Sequence, residues 1–194
     1  MTPVGRPRSF DTDEVVDSAM EVFWTYGYGN TSPAQLVEAT GLAKGSLYNA
    51  FGSKRELFER ALARYDRLGL ELFTDILARP GTTRERIGAL LRALVDADLA
   101  QPIRRGCLVV NTATELAGHD AELMRALGQA EEHTMEVLRE RIERGRRDGD
   151  VRADIDPRAT AEFLANTIAG LRVLARTQDA TTLHRIIDTT LTIL

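Results

Sequence analysis

The sequence contains very little that would cross-link the chain or anchor it in a membrane. Its 194 residues include one cysteine, Cys107, so no disulfide can form within the chain. Secreted domains usually carry paired cysteines, so a reducing cytoplasm is the expected compartment. No stretch approaches the ~18 apolar residues of a membrane-spanning helix. The first ten residues hold two arginines and no apolar run, which argues against a signal peptide. We expect a cytoplasmic protein with no membrane partner.

Motifs that support catalysis or tight metal binding are also lacking. The chain has no glycine-rich phosphate loop and no nucleophile elbow. Its three histidines, His119, His133 and His184, do not stand at metal-ligand spacing with a carboxylate pair. The sequence therefore gives no positive support for an enzyme, and we expect neither a cofactor nor a metal ion.

Basic residues are concentrated near one end of an acidic chain. The formal net charge is -4, yet residues 31–55 carry Lys44, Lys54 and Arg55 against Glu38, a local balance of 3 - 1 = +2. These two lysines are the only ones in the chain. A small basic patch alone is weak evidence, because such patches occur on many protein surfaces.

Hydrophobic residues recur at helical period along the whole chain, with no alternating pattern of the kind that strands show. The spacing predicts an all-α protein. A first helix runs from Asp11 or Thr12 to Tyr26, and two short helices cover about 33–40 and 43–51. Ser53 with Glu56 forms a capping box that opens a long helix ending near residue 78. The remainder divides into further helices, which together make a bundle of about six.

Residues 35–51 have the spacing of a helix-turn-helix unit. Two helices of about two turns are joined at Gly41, and a miniature core is expected from Leu36, Ala39, Leu42, Leu47 and Phe51. The second helix presents Lys44, Ser46, Tyr48 and Asn49, which are short or donor-rich side chains suited to base edges and phosphates. An ordinary helical hairpin with a solvated polar face is the alternative.

The segment from Gly27 to Leu57, with Phe23 before it, resembles the DNA-binding part of TetR/AcrR-type transcriptional regulators. The match rests on Phe23, Gly27, Tyr28, Thr31, Ser32, Gly41, Lys44, Gly45, Ser46, Leu47, Tyr48, Phe51 and Lys54. It covers only about the first sixty residues, although the total length also suits the family. The resemblance implies about nine helices, a homodimer formed through the last two, and a ligand pocket inside the bundle.

The resemblance also implies roles for individual residues in binding double-stranded DNA. Phosphate contacts are expected from Thr31 or Ser32, Tyr48 and Lys54, and base-edge contacts from Lys44, Ser46 and Asn49. Gly45 removes a side chain that would hold the second helix off the groove. Arg6 and Arg8 resemble arms that enter narrow minor grooves; a disordered tail is the equal alternative.

Two positions depart from the family pattern. Ala43 stands where a capping serine is usual, and Val37 where alanine is usual. The missing cap is expected to cost the second helix ~1 kcal/mol. The bulkier Val37 is expected to move the two helices slightly apart.

Cys107 follows two arginines and precedes an apolar run, which leaves two interpretations open. A small buried residue at the start of a core helix is favoured. A reactive thiolate near free helix N–H groups is the alternative, and a Gly-Cys-Leu run resembles family members that sense oxidants or electrophiles. Polar residues among apolar stripes give a candidate pocket, which consists of Cys107, Asn111, Thr114, Glu115, Asn166 and Gly170. A place at the protein surface is the equal alternative for these polar residues.

Together these patterns predict a DNA-binding domain over residues 1–52 and a ligand-binding and dimerisation domain over 53–194. Dimerisation is expected through the last two helices, where Ala165, Ala169 and Gly170 permit close packing. The predicted function is a homodimeric repressor of a palindromic operator, released by a small-molecule effector. Two alternatives are a redox or electrophile sensor acting through Cys107 and a helical ligand-binding protein that does not bind DNA.

Overall fold

The computed structural model describes residues 10–194, and every regular element in that range is helical. The all-α prediction is therefore confirmed, and the predicted arm residues Arg6 and Arg8 lie outside the described range. The nine α-helices of these residues are α1 (Thr12–Tyr26), α2 (Pro33–Thr40), α3 (Lys44–Phe51), α4 (Lys54–Ala78), α5 (Thr83–Leu99), α6 (Leu108–Leu116), α7 (Ala121–Asp148), α8 (Pro157–Leu174) and α9 (Ala180–Thr190), and a short 3-10 turn follows at Leu191–Ile193.

Local sequence signals set the ends of the first helices. Asp11 caps α1 by accepting a hydrogen bond from the Asp13 backbone N–H. Ser32 and Gln35 form a reciprocal capping box at α2, with proline at its first position. Gly41 ends α2 with φ of 68°, a left-handed conformation that favours glycine. At α4, Ser53 Oγ accepts from the Glu56 N–H, while the Ser53 N–H donates to the Phe51 carbonyl.

The first compact unit has its own aromatic core and extends to Arg64, inside α4. The Phe23 and Phe58 rings meet edge to face at 4.8 Å. Arg64 Nε donates to Asp17 at 2.7 Å, which ties α4 to α1. The unit therefore ends later than the join predicted at Ser53, because the first turns of α4 complete its core. The fully buried large side chains of this unit are Phe23, Leu36, Leu47, Phe51, Leu57 and Phe58.

Two of the five expected members of this core are not fully buried. Ala39 is exposed and Leu42 is half-buried, whereas Leu36, Leu47 and Phe51 are buried as predicted. The core is completed instead by residues of α1 and α4, which a pattern confined to residues 35–51 does not include. The core of the helix-turn-helix unit is therefore completed by side chains from other helices.

The second compact unit comprises residues 65–194 and has a continuous apolar core. Capping boxes or acidic caps begin its helices at Thr82, Asp120, Asp156 and Asp179. Among the helices of residues 10–194, none combines the length and the apolar composition needed to cross a membrane. The core includes the residues Phe73, Ile76, Leu77, Ile87, Leu90, Leu91, Leu94, Val95, Leu138, Ile142, Leu164, Leu171, Leu183 and Ile187.

Candidate functional site

Three polar side chains of helix α3 are candidates for contact with an external partner. Lys44, Ser46 and Asn49 are exposed, and among residues 10–194 none of them has a hydrogen-bond or ion-pair partner. Their spacing places them over the first turn and a half of an eight-residue helix. This part of α3 has donors and acceptors available to an external partner.

Gly45 leaves the surface of α3 beside these residues without a side chain. A Cβ built at this position would meet nothing within 4 Å, and its backbone is not in the left-handed region. Packing within the chain therefore does not require glycine there, although glycine in a helix costs about 0.5–1 kcal/mol relative to alanine. Gly41 is the contrast, because the turn needs its φ of 68°. A partner that approaches the α3 backbone closely is one reason to retain Gly45.

The hydroxyl groups of Thr31 and Ser32, at the start of α2, have different environments. Thr31 is only 2% exposed, and its hydroxyl donates to the Gly27 carbonyl at 2.6 Å. A phosphate needs a donor, so the expected contact from the Thr31 side chain is corrected: its proton is already used within the chain. Ser32 is exposed, and its Oγ accepts from the Gln35 N–H, which leaves its hydroxyl proton to donate outward.

Tyr48 and Lys54 lie on either side of the turn at Gly52. Tyr48 is half-buried, and its backbone carbonyl accepts from the Gly52 N–H at 2.8 Å. Lys54 is also half-buried, with its Nζ 4.6 Å from the centre of the Tyr28 ring. Tyr28 was recognised as part of the sequence motif but was not predicted as a site residue. Its signal, an aromatic residue placed to contact the lysine, requires tertiary structure to be seen.

Helix α3 begins without a side-chain cap, as the sequence predicted. Ala43 is the N-cap residue, and it makes no side-chain cap hydrogen bond. Open N–H groups at this end favour anions. The same end carries Lys44 as the first helical residue, so its electrostatic potential is positive.

In the second unit, Cys107 lies beside a group of buried polar side chains. It is half-buried and serves as the N-cap of α6. Tyr65 hydrogen bonds with the Cys107 side chain and accepts from the Leu108 N–H. Burial is the main cause of the raised pKa of Tyr65, and the nearby Cys107 raises it further. Both interpretations of Cys107 remain predictions, since it starts a helix and also contacts an ionisable neighbour.

A buried ion pair between Arg172 and Asp98 lies next to Tyr65 and Cys107. Arg172 Nε lies 2.6 Å from Asp98 Oδ2, with side chains 12% and 4% exposed. The guanidinium also donates to the Gly106 carbonyl at 2.9 Å. Burial raises the pKa of Asp98, while the Arg172 charge acts in the opposite direction. This buried pair fixes the loop before α6 to α5 and α8.

Four of the six predicted pocket residues do not lie in the interior of the unit. Thr114, Glu115, Asn166 and Gly170 are exposed, so the expectation that they line one enclosed pocket is corrected. The reason is the choice of helix face. Helix α6 buries Leu108 and Thr112, and α8 buries Ala161, Leu164, Ala165 and Leu171.

The remaining two predicted pocket residues, Cys107 and Asn111, are half-buried at the start of α6. The Asn111 amide nitrogen donates to the Arg105 carbonyl at 2.8 Å. Within residues 10–194, no group of three or more His, Cys, Asp or Glu side chains is placed to hold a metal ion.

The exposed residues of α8 form an apolar stripe instead. Phe163 is 44% exposed and Val173 48%, and Asn166 and Gly170 lie between them on the same face. Next to this face is a surface groove of about 340 Å³, lined by Phe163, Arg185, Ile186, Thr189, Thr190, Thr192 and Ile193.

Comparison with known proteins matches both units. A family model described as "Bacterial regulatory proteins, tetR family" matches residues 15–61, and one described as "Tetracyclin repressor-like, C-terminal domain" matches residues 83–190. The HTH-type transcriptional regulator YezE of Bacillus subtilis is 32% identical over 98% of this chain and 100% of that protein. The HTH-type transcriptional repressor ComR of Escherichia coli is 30% identical over 89% of this chain and 82% of that protein.

Solved structures of TetR-family regulators are similar to this chain over nearly its whole length. A cysteine-substituted variant of the TetR family transcriptional regulator CifR, complexed with 26-bp double-strand operator DNA, is 38% identical with a TM-score of 0.86. The match covers 97% of this chain and 98% of that one. A TetR transcriptional regulator from Chloroflexus aurantiacus is 28% identical with a TM-score of 0.82, covering 93% and 91%.

Proposed function

Because the chain belongs to the TetR family of DNA-binding transcriptional regulators, we propose that it represses transcription by binding a palindromic operator as a homodimer. The carrying observation is the α3 face, where Lys44, Ser46 and Asn49 are exposed and unpaired among the described residues beside Gly45. The operator complex of the similar CifR chain supports a double-stranded DNA partner.

The proposed DNA contacts follow the exposed atoms of the first unit. Lys44, Ser46 and Asn49 read base edges in the major groove. Ser32, Tyr48 and Lys54 contact phosphates, which position the protein without reading sequence. Arg6 and Arg8 are proposed to enter the adjacent minor groove, a role that rests on the sequence alone.

The proposed dimer buries the exposed stripe of α8 against a second copy. Phe163 and Val173 are large apolar residues that a partner would cover, and Gly170 leaves open space within 4 Å for a close helix approach. A two-fold dimer presents two copies of α3, which must lie about 34–36 Å apart to read successive turns of the major groove.

A small-molecule effector is proposed to release the DNA by favouring a dimer geometry with the wrong spacing of the two α3 helices. Helix α4 carries residues of both compact units and is the proposed connection. We assign DNA binding to the first compact unit, which extends to Arg64, and effector binding and dimerisation to the second, residues 65–194. We propose a regulatory rather than an enzymatic role, which needs no cofactor. The proposed location of the protein is the cytoplasm, where the DNA lies.

DNA binding is tested by measuring affinity for a selected duplex over a range of salt concentrations. For a protein that neutralises phosphates, log K falls linearly with log salt, by about 0.9 per phosphate contacted. We expect a steep slope and dimer stoichiometry. A flat slope with no preferred sequence would instead favour a helical ligand-binding protein without DNA binding.

A second candidate function is redox or electrophile sensing through Cys107, which replaces reversible effector binding. It is favoured by one observation: Cys107 contacts Tyr65, with Arg172 close to both. The test compares release of DNA from the parent and from Cys107→Ser when a thiol-reactive compound is added. Sensing through Cys107 requires release from the parent alone, and equal release from both proteins would exclude it.

A further inference from the structure

The first half of α4 carries four cations, and they have two kinds of partner. Arg55 pairs with Glu59, and Arg64 pairs with Asp17 at 2.7 Å. Arg60 lies over the Phe51 ring at 5.3 Å, and Lys54 lies over the Tyr28 ring at 4.6 Å. A carboxylate partner neutralises a cation, whereas an aromatic ring attracts the cation and leaves its charge intact.

Lys54 carries its positive charge at the N-terminus of α4, where a cation is electrostatically unfavourable. It is the first residue of α4, where the unpaired N–H groups of the helix create a positive potential that repels a cation. Among residues 10–194, no carboxylate pairs with it. The Tyr28 ring is the group that the structure places against its ammonium. Lys54 and the helix end together form a concentrated positive charge at the surface.

Tyr28 is itself held firmly. Its ring centre lies 4.8 Å from that of Phe58 and 6.4 Å from that of Phe23. Phe23 and Phe58 are 0% and 1% exposed, so both belong to the rigid core of the first unit. The ring is therefore a fixed platform, and a flexible lysine resting on it loses part of its conformational freedom before any partner arrives.

We propose that Tyr28 is a positioning residue, which holds the Lys54 ammonium in place for a DNA phosphate without neutralising its charge. This inference rests on the proposed function and deepens it, since Tyr28 acts through Lys54. A carboxylate in the same place would have to be displaced by the phosphate, whereas the ring stays on one side of the ammonium while its N–H groups donate from the other. The cost of ordering Lys54 on binding is thereby reduced.

The test changes the electrostatics of the ring while keeping its shape. Tyr28→Phe is compared with replacements of Tyr28 by phenylalanines carrying one, two or three fluorines, which progressively weaken the attraction of a ring for a cation. Affinity is measured for a DNA duplex selected by the parent. We expect affinity to fall stepwise, by about three- to ten-fold across the series, with unchanged melting temperature. The same series in a Lys54→Met background is the matched control and is expected to be flat.

The outcomes separate this inference from the proposed function. If Lys54→Met lowers affinity and the salt slope but the fluorinated series is flat, Tyr28 has only a structural role and the inference is overturned. A series that weakens binding equally with and without Lys54 overturns it as well. Failure of the parent to select any duplex would count against the proposed function itself.

Discussion

The two compact units treat their polar side chains differently. In the first unit, Lys44, Ser46 and Asn49 on α3 are exposed and, among the described residues, without partners. In the second unit, Asp98 and Arg172 are paired below the surface. Polar groups left for a partner mark a binding surface, and polar groups satisfied internally mark a scaffold. The contrast supports the proposal that the first unit recognises the DNA sequence.

The largest effect on DNA binding is expected from removing polar groups of α3 that have no partner among the described residues. Lys44→Met with Tyr48→Phe deletes one cation and one hydroxyl in each subunit of the proposed dimer. Because both subunits are altered, we expect operator affinity to fall roughly a thousand-fold, about 4 kcal/mol. The melting temperature should stay within a few degrees, because neither deleted group has a hydrogen bond or ion pair among the described residues.

A matched control removes a cation from the other unit. Arg67→Met changes the net charge by the same amount at an exposed position of α4 in residues 65–194. Its effect on affinity should be small. Equal decreases in affinity for the two proteins would mean that overall charge, and not the α3 surface, determines binding.

Changes at the buried pair of Asp98 and Arg172 are expected to lower stability rather than DNA affinity. Arg172→Met leaves the Asp98 carboxyl buried without its cation, which should lower the free energy of unfolding by about 3 kcal/mol. Adding Asp98→Leu removes the orphaned charge and should recover most of that stability. Urea unfolding of the parent, the single variant and the double variant measures both effects. No recovery in the double variant would contradict the assignment of this pair.

The pH dependence of the same variant has a definite sign. Burial raises the pKa of Asp98 above its usual value even beside Arg172, and removal of Arg172 raises it further. The folded state then binds this proton more tightly than the unfolded state, so the group contributes stability that is lost as pH rises through its folded pKa. The deficit of Arg172→Met relative to the parent should therefore be smaller near pH ~5 than at pH ~7. A constant deficit would show that poorer packing, not charge, is the cause.

Gly45→Ala separates stability from binding. Alanine should raise the stability of α3 by about 0.5–1 kcal/mol, because a Cβ there meets nothing within 4 Å. The same methyl group should weaken operator binding about ten-fold by lifting the helix from the groove. Thermal melting and DNA titration give the two values. In contrast, Gly41→Ala should lower stability, because φ is 68° there.

The smallest expected effect is at the uncapped end of α3. Ala43→Ser supplies the missing side-chain acceptor and should raise stability by about 1 kcal/mol. Thermal melting of the purified variant measures it, with Ala43→Val as a non-capping control. Unchanged stability with serine would indicate that the α3 N–H groups are already satisfied by solvent.

Sequence patterns predicted the helices well because their signals are local. The caps at Asp11 and Ser32, Pro33 at the start of α2 and the glycine at residue 41 lie at the helix ends where the structure places them. Each signal depends on residues within a few positions of one another, so it can be read without tertiary contacts.

The candidate sites were less predictable because they depend on which face of each helix is buried. Asn166 and Gly170 look like interior positions in sequence, yet α8 turns its other face to the core. The Tyr28 ring under Lys54 and the pairing of Arg172 with Asp98 join residues far apart in the chain. Such contacts follow from packing, which periodicity does not specify.

The proposed function depends above all on recognition of a DNA sequence by the exposed residues of α3. The most direct measurement is selection from a pool of random duplexes by the parent and by Lys44→Met/Tyr48→Phe, followed by sequencing of the retained DNA. We expect the parent to enrich a palindrome with half-sites about one helical turn apart and the variant to enrich none. Enrichment of the same palindrome by both proteins, or of none by the parent, would contradict the proposed function.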